Sequence, residues 1–183
     1  MRRHIANGTI TLTHGDITCA VTQAIVTAAN AALCGGGGVD GAVHAAAGPG
    51  LLEALRGFGS CPTGDAVITD AFELLPQGVR HIIHAVGPIW HDGTQGEEAL
   101  LRTAYERSVE LAEQHDLASI ALPSISTGIY GFPIARAAPI AIDTCAAFLR
   151  RRPAHLHFIE FFLFDELTAR SFSEALEAAA DPA

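Results

Sequence analysis

The chain has 183 residues, 49% of them hydrophobic and 17% charged, which suits one domain with a sizeable core and argues against extensive disorder. Its formal net charge of −9 argues against broad electrostatic attachment to DNA or RNA, and a phosphate ligand would have to be held by local dipoles against an unfavourable overall field. All eleven basic residues are arginine, so chemistry that needs a P-loop, Schiff-base or nucleophilic lysine is excluded.

In chain order, Thr9–Leu12 reads as an opening strand, and Ala24–Ala28 as a strand buried on both faces. Val39–Ala47 is a short helix of small residues stopped by Gly48-Pro49-Gly50, and Leu51–Arg56 is another helix. Ala66–Thr69 and His81–Val86 are strands, with residues 87–96 between them and the next helix as a mobile loop. Glu97–His115 is the clearest helix, with Leu100, Leu101, Ala104, Tyr105, Ser108 and Leu111 at helical spacing. Ser119–Leu122 is a buried strand, Ile134–Arg152 an Ala-rich helix, Leu156–Phe164 an aromatic strand and Glu166–Ala180 a terminal helix. The arginines at 150–152 complement the carboxyl end of their helix.

This alternation predicts an α/β fold, with helices sandwiching a largely parallel or mixed sheet and no internal repeat or linker across residues 1–183. Cys19, Cys34, Cys61 and Cys145 form no C-x-x-C pair and no zinc-spaced Cys/His cluster. There is no apolar run of membrane-spanning length and no recognisable signal peptide, so a reducing, cytoplasmic setting is expected.

Two loops carry the chemistry. The first runs from Asn30 through the four glycines Gly35–Gly38 to Asp40 and His44. The glycines expose backbone N–H groups, and a helix beginning there aims its positive end at the same place, a means of holding a diphosphate without a basic side chain. The second, Ser124–Pro133, is again rich in small residues and runs straight into a helix. Ser126 and Thr127 add hydroxyl donors, and Tyr130 and Phe132 add flat apolar surface for a sugar or base. Both loops follow buried strands, the edge at which open α/β sheets bind ligands.

Together with Gly15-Asp16-Ile17-Thr18, Ala28-Ala29-Asn30, His44–Gly48, Cys61–Ala66, His84–Pro88 and Phe164-Asp165-Glu166, these loops resemble the macrodomain family in its MacroD-type branch, in order from about residue 9 to about residue 178. The resemblance implies a three-layer α/β/α sandwich that binds ADP-ribose, removes mono-ADP-ribose from acidic side chains of proteins and deacetylates O-acetyl-ADP-ribose. It implies no metal and no cofactor, and nucleic acid or membrane is not an expected partner unless a nucleic acid carries the ADP-ribose. Position by position, it implies that Asp16, Ile17 and Phe164 meet the adenine end, and that Val39 with Ser126, Thr127, Gly128, Ile129 and Tyr130 surrounds the diphosphate. Asn30 and Asp40 then face the distal ribose as the catalytic pair, with Gly37 and Gly38 leaving room for the ester and Tyr130 packing on the sugar. Where the family usually has asparagine, this chain has Thr27, so whatever that amide orders is expected to be weaker, with turnover affected before binding.

Each of these residues also has a structural reading. Asp40 suits the start of a helix whether or not it reacts, and the dipole there is expected to keep its pKa at or below the ordinary carboxylate value, making it a weak general base. Asn30 suits a turn, Asp16 an N-cap, and His44, one helical turn beyond Asp40, suits packing or hydrogen bonding to it. Cys34 has no paired base, His81 and His84 fall on opposite faces of a strand, and Trp90 reads as a loop anchor. The alternatives to a hydrolase are a non-catalytic ADP-ribose reader and an unrelated nucleotide-binding α/β protein; the latter lacks both the P-loop motif and the context of a dinucleotide fingerprint.

Overall fold

The computed structural model describes residues 1–179. Seven strands form one sheet: β1 (Arg2–Ile5), β2 (Gly8–His14), β3 (Ala24–Ala28), β4 (Ala66–Asp70), β5 (His81–Ala85), β6 (Ser119–Pro123) and β7 (Phe158–Leu163). Their spatial order is β1-β2-β7-β6-β3-β5-β4. The five inner strands run parallel, and β1 and β4 close the two edges antiparallel. Five helices cover it: α1 (Gly38–Ala47), α2 (Pro49–Arg56), α3 (Glu97–Gln114), α4 (Ile134–Arg150) and α5 (Glu166–Ala178). The predicted elements are all present, with ends moved by one or two residues; the predicted end of the last helix, Ala180, lies outside the described residues. Sequence reading missed β1, and it missed short 3-10 helices at Ile17–Cys19 and Phe72–Gln77.

The alternation along each strand sorts the core into two layers. Ala24 and Val26 of β3, Ile83 and Ala85 of β5, and Ile159 and Phe161 of β7 join the helices α3, α4 and α5. Ile25, Ile82 and Ala121 face the other way, into a smaller core with α1 and α2. Side chains alternate between faces, so Thr27 and His84, paired in register on β3 and β5, belong to the α1 face. Both are fully buried.

All five parallel strands deliver their carboxyl ends to one edge of the sheet. There β2 hands over to Gly15-Asp16, β3 to Asn30, β5 to Gly87, β6 to Ser124 and β7 to Phe164. Tyr105 of α3, entirely buried, ties this edge to the interior: its hydroxyl donates to the Pro123 carbonyl at 3.0 Å and accepts the Ile125 N–H at 2.9 Å. The sequence placed Tyr105 on the buried helical face but gave no sign of that anchor.

Residues 87–96, which their composition marks as a mobile loop, are anchored at several points. Glu97, at the start of α3, turns its carboxylate back and accepts the N–H groups of His91, Gly93 and Gln95. Burial opposes its ionisation, yet its own backbone N–H together with those three donors prevails and holds it down at about 2. Trp90 is the anchor expected, packed on Phe132 at 4.6 Å between ring centroids and capped by the Arg136 guanidinium at 4.9 Å.

Candidate functional site

Two adjoining cavities open at the carboxyl edge. The first, of about 320 Å³, is walled by Asn30, Gly36, Gly37, Asp40, Gly87, Ser126, Ile129 and Tyr130, among others. The second, of about 370 Å³, is walled by Asp16, Ile17, Thr127, Phe162 and Phe164, among others. They share Gly38, Val39, Ser124 and Gly128, so the residues that the resemblance assigned to the ligand and the catalytic pair all line one continuous cleft, whereas Cys34, His44 and Phe132 do not line it. Among the described residues no arginine or histidine lines either cavity, so an anion there would meet backbone N–H groups and helix starts.

The first loop is braced by Asn30. Its amide Nδ2 donates to the Gly35 carbonyl at 2.8 Å, and its Oδ1 accepts the Cys34 N–H at 3.4 Å. Asn30 therefore fulfils the turn role and still presents its side chain at the cavity wall. Cys34, exposed beside it, has its Sγ 3.5 Å from the same Oδ1. Gly38 opens α1 in the left-handed region at φ +58. At Gly41 a Cβ would stand 2.6 Å from the Gly36 carbonyl oxygen, so only glycine lets the loop fold back onto its own helix. The glycine run is thus also a packing requirement.

Asp40 is buried, its side chain only 4% exposed, in the first turn of α1 and turned inward toward β3. The Thr27 hydroxyl donates to Asp40 Oδ1 at 3.0 Å, and His44 Nε2 lies 3.8 Å from the same oxygen. A Cβ built on Gly36 would lie 3.5 Å from Asp40 Oδ2 and 3.7 Å from Asn30 Nδ2, so Oδ2 faces the glycine loop beside the asparagine amide. Burial pushes the Asp40 pKa above the ordinary carboxylate value, against the Thr27 hydrogen bond and the charge of His44. This corrects the expectation of a low pKa. The helix-start argument holds for a solvated carboxylate, whereas this one is inside the protein, where losing water outweighs the dipole.

His44 meets Asp40 as the i,i+4 spacing requires. His84 was not foreseen here. Its Nε2 pairs with the Thr69 hydroxyl at 3.1 Å, and that hydroxyl gives its own proton to the Asp70 carbonyl. The other ring nitrogen of His84, Nδ1, is buried and has no hydrogen-bond partner among the described residues. Burial, with His44 alongside, drives its pKa down to about 3, so it stays neutral at physiological pH. Asp40, His44 and His84 each offer one ligand atom within 4.8 Å of the others, a convergence able to take a cation. Strand alternation was right to separate His81 from His84, but only the packing of α1 on β3 and β5 brings His84 to the two residues of the helix.

The second loop is held in a strained shape. Ser126 has φ +66, rare for a residue with a side chain, and its Oγ is buried with no hydrogen-bond partner. The Phe132 N–H returns to the Ser126 carbonyl at 3.0 Å, and the Trp90 N–H to the Tyr130 carbonyl at 2.8 Å. Two sequence expectations change here. Thr127 spends its hydroxyl on Ser124, donating to its carbonyl at 3.0 Å or its Oγ at 2.7 Å, so it is not a spare donor. Phe132 is 1% exposed beneath Trp90 and cannot serve as a surface for a base. Gly87, to which sequence reading gave no role, is required here, because a Cβ would collide with Ser126 Oγ and Ile125 Cγ2. Its sequence signals were its place directly after a buried strand and its membership of the His84–Pro88 motif.

At the far end Asp16 caps the 3-10 helix, its Oδ1 accepting both the N–H and the hydroxyl of Thr18. Its other oxygen remains for an incoming donor. Phe164 stands 80% exposed at the end of β7.

Comparison with known proteins yields four concordant likenesses. A family model described as Macro domain matches residues 26–141. A Macro domain-containing protein of Ralstonia nicotianae is 52% identical over 171 residues, covering 93% of this chain and 96% of that protein. An O-acetyl-ADP-ribose deacetylase of Citrobacter rodentium is 48% identical over 181 residues, covering 96% and 99%. The solved macrodomain of Oceanobacillus iheyensis with ADP superposes with a TM-score of 0.90 at 42% identity, covering 97% of this chain and 95% of that one.

Proposed function

The chain belongs to the Macro domain family, and from that premise we propose that it is an ADP-ribose-recognising hydrolase that deacetylates O-acetyl-ADP-ribose and removes mono-ADP-ribose from acidic side chains of proteins. The observation that carries this reading is Asp40: a buried carboxylate with one oxygen anchored inside and the other facing a glycine-walled cavity. A pure reader has no need to bury a charge at that wall. The name of the Citrobacter relative supports the deacetylase half.

Both substrates present the same bond, an ester on the distal ribose, and differ in the acyl group beyond it. Water adds to the acyl carbon, the bond to the ribose oxygen breaks, and a carboxylic acid and a ribose hydroxyl leave. Asp40 orients that water and takes its proton; raised by burial, it is a better base than a solvated carboxylate. Asn30 positions the distal ribose, the glycine loop leaves room for the acyl group, and N–H groups of residues 126–130 hold the diphosphate. Phe164 and Asp16 bind the base, so binding energy far from the reacting bond fixes the ester in place. The four cysteines are free, two of them exposed, in keeping with a reducing cytoplasmic setting.

Calorimetry with ADP-ribose, paired with turnover of O-acetyl-ADP-ribose and of a mono-ADP-ribosylated acidic protein, tests this on the wild type and Asp40→Ala. The variant should bind within about threefold of wild type and lose about 100-fold or more in kcat. Binding without turnover in the wild type would select the reader, and near-normal turnover in the variant would remove Asp40 from the chemistry.

A further inference from the structure

We propose that Thr27 is a positioning residue for the hydrolysis: its hydroxyl holds Asp40 Oδ1 so that Oδ2 is presented to the cleft. This deepens the hydrolase reading and rests on it. Thr27 lies on the α1 face of β3, fully buried, and its hydroxyl's one hydrogen bond among the described residues is the 3.0 Å donation to Asp40. The carboxylate is thereby divided in its duties. Oδ1 points into the protein, toward Thr27 and His44, and Oδ2 lies under Gly36 next to the Asn30 amide.

The bond is sheltered from water at both ends, where a hydrogen bond to a charged group is strong and its loss is felt in full. Without it Asp40 could rotate about its χ angles toward the glycine loop. Threonine suits the place because its β-branched side chain has few rotamers on a strand. The groups that set the charge of Asp40 are few: burial raises its pKa, Thr27 lowers it, and His44 lowers it when protonated. His84, on β5 beside Thr27, is neutral, and the carboxyls on the other elements packed on α1 (Asp16, Glu53 and Glu73) are not among the groups that shift it.

The experiment compares wild type, Thr27→Val, Thr27→Ser and Asp40→Ala. It follows ADP-ribose affinity, kcat for O-acetyl-ADP-ribose across pH, and the carboxyl ¹³C titration of Asp40 by NMR. Thr27→Val keeps the shape and removes the donor; should it fail to fold, Thr27→Ala replaces it throughout. With the valine, affinity should stay within about twofold while kcat on the pH plateau falls about tenfold. The acid limb of the profile and the Asp40 titration should both move to higher pH, because a hydrogen bond that favoured the ionised form is gone. Serine should restore kcat and both titrations. If Asp40→Ala is inactive but the valine variant keeps wild-type kcat, acid limb and Asp40 titration, the role of Thr27 is overturned and the hydrolase reading stands. If Asp40→Ala retains turnover, or the wild type has none, both fall together.

Discussion

Around Asp40 the wall of the cleft is glycine, amide and a buried carboxylate, each fixed by bonds from the interior; around Phe164 it is largely apolar, and Phe164 itself stands 80% exposed. The first end is ordered from within, with Asn30, Thr27, His44 and the strained Ser126 held by contacts inside the protein. The second offers area and one free carboxylate oxygen on Asp16. Preorganisation serves a reacting bond, because the cost of ordering polar groups is met during folding. Apolar area serves affinity and tolerates looser placement. Changes at one end should therefore register mainly in kcat, and changes at the other mainly in binding.

The strongest way to break that division is Gly87→Ala, because Ser124 and Gly128 on the loop that Gly87 supports face both cavities. The added methyl collides with Ser126 and Ile125. We expect kcat/KM to fall by about tenfold or more, with affinity and kcat both affected and stability reduced by about 1–3 kcal/mol in thermal melts. A loss confined to one parameter would mean that the loop accommodates the methyl without moving. Phe164→Ala sharpens the comparison instead. Affinity for ADP-ribose should drop about fivefold to tenfold, near the lower end for a base-stacking aromatic, with kcat at saturation unchanged. A matching loss in kcat would show that the two ends are coupled.

The smallest effect concerns salt. With no cationic side chain on either wall and a net charge of −9, raising salt from 50 to 500 mM should screen repulsion of a diphosphate. The dissociation constant measured by calorimetry should stay level or fall by up to about twofold. A tenfold weakening would instead reveal an arginine reaching the phosphates.

Much of this could be read along the chain. Apolar runs and glycine breaks gave the strands and helices, since burial demands a periodicity and chain reversal demands small residues. The cleft residues were legible because strands, loops and helices alternate and five parallel strands must end at one edge. Phe132 looked like a ligand surface, and the anchoring of residues 87–96 went unseen, because hydrophobicity and glycine content do not say what a segment folds against. Here Trp90, Arg136 and Glu97 decide it.

Sequence by itself determined the α/β class, the family resemblance, the two small-residue loops and the lack of any lysine to grip a phosphate, all properties of residue type and order. The tertiary structure alone decided the state of Asp40. Its neighbours Thr27 and His84 come from strands whose distance along the chain carries no local signal, and they meet α1 only because alternation puts them on its face of the sheet. Burial there reverses the pKa expected at a helix start, since removing a carboxylate from water acts more strongly than the dipole that would have kept it acidic.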